Sequence, residues 1–376
     1  MVQLITADGI IDVRSWGYQL QGNQDRGEAL EAFDLADVPH DVLVMDFSRD
    51  GLDSGRYHAE DIATLRARSP SSVIISYMSI GEASDYRSHW HKSWTSTGKA
   101  TGKPTHGAPT WLGPNNPSWQ NSCKVRYWEE GWQNIIFNDD RTGWLDLIAA
   151  QGFNGAYLDI VDAYYFWGAE VPSDLRRDGD PEDERDGARR MIEFIAAFTG
   201  HVRELHPDFM IFPQNGEMIL DALGDPDNLS DEDQARKKMF LQAVSAIGVE
   251  DVYCPGDKPE NNAMKPAIKR IEVLQRDFRD NGKPVFSVDY LNHDAAIEKY
   301  LQRCARDGFV PYAAPRRNLD RLGPPFDGEI PTIVAARGMR APVDPTEQVT
   351  TEPRRSTRAP RMLWNSGVTY VPGAVE

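Results

Sequence analysis

This chain of 376 residues is short of cysteine, of basic charge and of long apolar runs, and each shortage excludes a class of protein. Its 3 cysteines, Cys123, Cys254 and Cys304, have no CxxC spacing, which argues against a disulfide framework or a structural zinc site. At most one bridge can form among them, and all three suit small buried positions. Asp and Glu number 58 against 41 Lys and Arg, for a formal net charge of −17 and a pI near 4.9. Phosphates would be repelled, so nucleic acid is not an expected partner, whereas a cationic substrate would be attracted. The same acidity also serves to keep a surface solvated. No apolar run approaches the ~18 residues of a membrane span, so no membrane partner is expected. The start Met1-Val2-Gln3-Leu4 lacks the basic residues and apolar stretch of a leader, which leaves the compartment open. GxSxG, GxGxxG and P-loop patterns are all missing. The 8 His are scattered, with His89 and His91 the one close pair, so no histidine metal site is expected.

What is present is enough for a large core. Hydrophobic residues make up 40% of the chain, with 10 Trp, 13 Tyr and 14 Phe. Strand-like and helix-like segments alternate, the pattern of a parallel sheet with crossover helices. The strand candidates are 15–19, 42–47, 73–79, 156–160, 210–214, 248–253, 285–289 and 309–313. Helical spacing places Met191, Phe194, Ile195, Phe198, Val202 and Leu205 on one face, and Ile297, Leu301 and Cys304 on another. Eight strands with intervening helices predict a (β/α)8 TIM-like barrel, with a doubly wound open sheet as the alternative.

Three regions depart from the alternation. A long insertion after the third strand, about 82–138, holds Trp90, Trp94, Trp111, Trp119, Trp128 and Trp132. These rings either wall a sugar cleft or form the insertion's own small core. Residues 171–190 carry several acids, but their oxygen spacing does not match an EF-hand loop. Beyond a barrel domain of 1–340, the segment 341–376 with Pro342, Pro345, Pro353 and Pro360 reads as an extended tail.

The chemistry is expected at the strand tips. Two apolar runs end abruptly in carboxylates, Tyr157-Leu158-Asp159 and Phe212-Pro213-Gln214-Asn215-Gly216-Glu217. An acid at the tip of a buried strand is costly unless something pairs with it or uses it. Further acids and tyrosines fall at other tips: Asp46, Tyr77, Glu82, Glu250, Asp251, Tyr253, Asp289, Tyr290 and Tyr312. In a barrel these tips converge on the C-terminal face, where active sites lie. Two facing carboxyls are the minimum equipment for hydrolysis of a glycosidic bond. Asp159 and Glu217 are the expected pair, Asn215 offers amide contacts to sugar hydroxyls, and Asp162 is expected to orient a neighbour or bind substrate.

The ordered series Trp16-Gly17-Tyr18-Gln19-Leu20-Gln21-Gly22, Val44-Met45-Asp46-Phe47-Ser48-Arg49-Asp50-Gly51, Ser76-Tyr77-Met78-Ser79-Ile80-Gly81-Glu82-Ala83, Tyr157-Leu158-Asp159-Ile160-Val161-Asp162-Ala163-Tyr164 and Pro213-Gln214-Asn215-Gly216-Glu217 resembles glycoside hydrolase family 114. Gly248-Val249-Glu250-Asp251-Val252-Tyr253, Val288-Asp289-Tyr290 and Pro311-Tyr312 complete the set, so the likeness runs from residue 16 to about 320. The resemblance implies an endo-α-1,4-polygalactosaminidase-like barrel that acts on cationic amino-sugar polysaccharide without metal or organic cofactor. It places the catalytic pair on Asp159 and Glu217, and substrate contacts on Asp46, Tyr77, Glu82, Asp162, Glu250, Asp251, Tyr253 and Tyr290. Members of that family are commonly secreted, and a monomer is expected.

Asp159 is expected as nucleophile and Glu217 as general acid/base. A separation of ~5–5.5 Å between them would favour retention, and roughly 6.5–9.5 Å inversion. Two rivals stay open: a hydrolase of another α-linked galactoside, and a catalytically silent carbohydrate-binding barrel.

Overall fold

Short segments rich in Val, Ile and aromatic residues become strands because such side chains pack well on a pleated, buried surface. The computed structural model describes residues 2–6, 9–70 and 72–331, and the expected tail at 341–376 lies outside them. The strands are β1 Val2–Thr6, β2 Gly9–Val13, β3 Trp16–Tyr18, β4 Val42–Asp46, β5 Val73–Ser79, β6 Glu82–Ser84, β7 Leu112–Asn116, β8 Trp119–Val125, β9 Gly155–Asp159, β10 Met210–Pro213, β11 Ile247–Glu250, β12 Val285–Tyr290 and β13 Val310–Ala314.

Eight of these form a (β/α)8 barrel. β3, β4, β5, β9 and β10 run parallel in that order, as do β11, β12 and β13. A parallel bridge from Gln214 to Gly248 joins the two groups on one side. On the other side β13 lies against β3, and the Trp16 indole N–H donates to the carbonyls of Val310 (3.1 Å) and Ser287 (3.3 Å). Helices follow the strands, among them Ala59–Arg68, Glu184–Arg203, Asp231–Ala243 and Asp294–Arg306.

Alternation along each strand divides the core in two. Trp16, Tyr18, Val44, Ile75, Tyr157, Phe212, Phe286, Val288 and Tyr312 fill the barrel interior. Their neighbours Leu43, Met45, Ile74, Ala156, Leu158, Ile211 and Val249 face the helices. The β1–β2 hairpin, which the sequence does not announce, adds Leu4 and Val13 to the interior cluster. Helix Glu184–Arg203 is capped by the Asp183 carboxylate, which accepts the Asp186 N–H, and it buries Met191, Phe194, Ile195, Phe198 and Val202. Leu205 departs from that face: it lies past the helix end and is 63% exposed.

Within the insertion β6, β8 and β7 form an antiparallel sheet in that order. Most of its tryptophans make a core. Trp90, Trp94, Trp111 and Trp132 contact one another in series at ring separations of 5.0–5.5 Å. Trp128 packs instead on Tyr127 and Trp167. All three cysteines are buried free thiols. Among the described residues no helix is long and apolar enough to cross a membrane.

Candidate active site

The C-terminal ends of the barrel strands open into a pocket lined by Asp46, Tyr77, Glu82, Asp159, Glu250 and Tyr290 among others. The strand ends are shaped by left-handed residues: Ile160 (φ 60°) follows Asp159, Asn215 (φ 55°) and Gly216 (φ 69°) precede Glu217, and Asp251 (φ 53°) follows Glu250. For a β-branched residue such as Ile160 this conformation is strained, and strain of this kind gathers at functional sites. It also places the Ile160 N–H on its own neighbour, donating to Asp159 Oδ1 at 2.9 Å.

Asp159 stands at the tip of β9. Its other oxygen, Oδ2, accepts the Tyr77 hydroxyl at 2.6 Å. Burial, with Glu250 and Glu82 nearby, outweighs those two hydrogen bonds and pushes the carboxyl up to about 7. Glu250, at the tip of β11, accepts hydrogen bonds from the Tyr290 hydroxyl and the Asn215 amide. Burial and the adjacent Asp251 raise its pKa as well.

The remaining pocket acids are paired. Arg87 grips Asp46 with two bonds, at 2.6 and 3.0 Å, and both side chains are buried. Glu82 Oε1 receives Lys124 at 2.6 Å and the Asn116 amide at 2.8 Å. Arg317 holds Asp251 through two bonds and lies 4.0 Å from the Tyr290 ring centroid. Asp159 and Glu250 are thus the two pocket-lining carboxyls without a basic side chain at ion-pair distance among the described residues.

Glu217 occupies a different place. It is fully buried behind the pocket wall, where Oε1 is bound by Arg270 and Oε2 has no hydrogen-bond partner among the described residues. Arg270 also donates to the Glu250 carbonyl (3.0 Å) and Asn215 Oδ1 (3.1 Å), so it ties Glu217 to the wall that carries Glu250. Asp162 lies between these groups, with burial lifting its carboxyl to about 6 while Lys124 opposes the rise.

Asp46, Tyr77, Glu82, Glu250 and Tyr290 reach the pocket, while Asp251, Asn215 and Asp162 support its wall. Tyr253 does not reach it: fully buried, it turns its hydroxyl to Asp307 at 2.9 Å and packs its ring on Tyr300. The expectation of a substrate contact there is corrected by geometry, because the residue after the Glu250 tip has already turned the chain back against the helix layer. Asp289 is likewise internal and accepts the backbone N–H groups of Tyr253 and Cys254. Burial pushes it up to about 8.

Sequence reading missed the cations Arg87, Lys124, Arg270 and Arg317. Their pairing is long-range, and no local pattern marks it. Among the described residues no group of three His, Cys, Asp or Glu side chains is placed to hold a metal ion.

The sequence matches the family model for glycoside-hydrolase family GH114 over residues 8–330. An uncharacterized protein of Methanocaldococcus jannaschii is 33% identical over 316 residues, covering 82% of this chain and 77% of its own length. An uncharacterized protein of Thermotoga maritima is 32% identical over 308 residues, covering 80% of each chain. In fold, the chain is similar to the glycoside hydrolase domain of PelA from Pseudomonas aeruginosa. The TM-score is 0.52 at 16% identity, covering 82% of this chain and 97% of that one.

Proposed function

The chain belongs to glycoside-hydrolase family GH114, and from that premise we propose that it cleaves α-1,4-linked, galactosamine-containing polysaccharide internally. The observation that carries this reading is the charge state of the pocket. Asp46 and Glu82 are ion-paired to Arg87 and Lys124, whereas Asp159 and Glu250 face the same space with no basic side chain at ion-pair distance among the described residues. Two carboxyls outside any ion pair suit an ammonium-bearing sugar, which would favour their ionised forms on binding. They also suit two-carboxylate chemistry on the bond beside it.

Asp159 is the proposed nucleophile, since both of its oxygens accept hydrogen bonds that favour the carboxylate. Glu217 is the proposed acid/base, in a retaining mechanism. A second reading assigns that role to Glu250, because Glu250 lines the pocket and Glu217 lies behind its wall, bound to Arg270.

A reducing-end assay decides between these readings. It uses partially deacetylated α-1,4-polygalactosamine, its fully acetylated form and a neutral α-galactan. New ends are expected from the deacetylated polymer, with none from Asp159→Asn and retained anomeric configuration in the product. Loss in Glu217→Gln with residual turnover in Glu250→Gln supports the first reading, and the reverse pattern the second. Full activity of Asp159→Asn overturns both. Saturable binding without new ends marks a non-catalytic carbohydrate-binding barrel, and preference for the neutral polymer marks a different galactoside.

A further inference from the structure

Trp119 differs from every other tryptophan among the described residues. Trp16, Trp90, Trp94, Trp111, Trp128, Trp132, Trp144 and Trp167 each pack on at least one other ring. Trp119 packs on no ring among the described residues, is only partly buried, and lines the same pocket as Asp159. An indole left partly wet on the pocket wall forgoes some of the apolar burial it could gain.

The wall is rigid because of where the hairpin is tied. Trp119 opens β8 and pairs with Asn116 across the tight turn Pro117–Ser118. The Asn116 amide donates to Glu82, and its Oδ1 accepts the Ser118 N–H at 3.0 Å. Farther along the same strand Lys124 is ion-paired to Glu82 as well. Both ends of the hairpin are therefore fastened to one carboxylate on the pocket rim. The backbone that carries Trp119 is thus held in place, so less of it remains to be ordered when a ligand arrives.

We propose that the β7–β8 hairpin builds a sugar subsite beside the reacting one, with Trp119 as the platform on which an amino-sugar ring sits. This deepens the proposed function and rests on it. Indole is the strongest of the aromatic platforms for a nearby cation, so a protonated galactosamine gains there what its neutral or acetylated counterpart does not. The insertion would then set the shortest chain that is cleaved well. A residue binding a sugar remote from the scissile bond acts on capture of longer chains and leaves those too short to reach it untouched.

The test compares wild type, Trp119→Ala, Trp119→Gln and Trp119→Phe on a ladder of defined α-1,4-galactosamine oligomers and their N-acetylated forms. The expected result is a KM about tenfold higher or more on long oligomers for the Ala and Gln variants. The kcat changes little, the shortest cleaved oligomer shows no effect, and Phe restores most of the loss. The penalty should be smaller on acetylated chains. If wild type is active and the Ala and Gln variants, folded by circular dichroism, show unchanged KM at every length, the Trp119 subsite is wrong while the function stands. If wild type cleaves no amino-sugar oligomer, the functional reading fails and the subsite with it. Reduced activity of equal size at every length, unrepaired by Phe, assigns Trp119 a merely structural role and also overturns the proposal.

Discussion

The Tyr77 hydroxyl donates to Oδ2 of Asp159 at 2.6 Å, across neighbouring strands β5 and β9 of the barrel. The bond favours the charged carboxylate in a site where burial opposes charge. It therefore sets the pH at which Asp159 can attack. With the carboxyl lifted to about 7, kcat/KM should rise with pH and level off above that value. In Tyr77→Phe the ionised form loses a donor, so the limb moves to higher pH. Hydrogen bonds to charged groups contribute about 1.5–3 kcal/mol, so the loss below neutrality should be roughly 10- to 100-fold and shrink as pH is raised. A pH–rate profile of both proteins checks this. A limb that falls through neutrality in wild type would exchange the roles and make Asp159 the proton donor.

Asp159 also links stability to pH. Its folded-state pKa is raised, so the neutral form is compatible with folding below the ordinary carboxylate range. Stability is then lost as pH rises from about 4 through 7, where ionisation must occur against burial. Asp159→Asn removes that cost and keeps a side chain able to accept the Ile160 N–H. The variant and wild type should melt together near pH 4, with the variant ahead by up to about 4 kcal/mol at pH 8. Differential scanning at several pH values measures the gap. A difference independent of pH would show that Asp159 is not titrating in this window.

The barrel was readable in advance for a physical reason. All eight strand candidates coincide with barrel strands to within a few residues, because each is a buried apolar run bounded by polar turns. Asp159 and Glu250 were legible as acids ending such runs. Glu217 was legible as an acid but not as a buried one. The two left-handed residues before it swing it behind the wall, and Arg270, more than fifty residues on, keeps it there. Tyr253 failed for a related reason: periodicity gives a side of a strand only while the strand lasts, and β11 ends at Glu250. The insertion's tryptophans had two readings from composition. The fold separates them, with one ring facing the pocket and the rest packed on other aromatics.

Arg270 and Glu217 form an ion pair whose acid is fully buried. Removing one partner from such a pair leaves an uncompensated charge, at a cost of about 3–5 kcal/mol, whereas removing both is far milder. Arg270→Met should therefore lower the denaturation midpoint strongly. Arg270→Met combined with Glu217→Gln should recover a substantial part of that loss. The coupling energy of the double-mutant cycle is the measurement. Simple additivity of the two changes would mean that the pair does not hold the wall together.

Gly248 lies on β11 where the Tyr157 side chain crosses the barrel interior. A Cβ there would sit 2.0 Å from the Tyr157 hydroxyl oxygen and 2.4–2.5 Å from two ring carbons. The ring is fully buried and flanked by Trp16 and Tyr18, at centroid separations of 6.3 and 5.2 Å, so a shift away from the new Cβ disturbs other interior rings. Overpacking of a close-packed core costs typically about 1–3 kcal/mol, and this contact belongs at or above the upper end. Gly248→Ala should thus be markedly unstable. Adding Tyr157→Phe should not repair it, because the ring carbons remain too close. Tyr157→Val removes the ring altogether, so the Gly248→Ala, Tyr157→Val protein should be more stable than Gly248→Ala alone, although Tyr157→Val by itself destabilises. Urea unfolding of these variants and wild type resolves the sign of that interaction, and a Gly248→Ala protein as stable as wild type would contradict the packing described for the barrel interior.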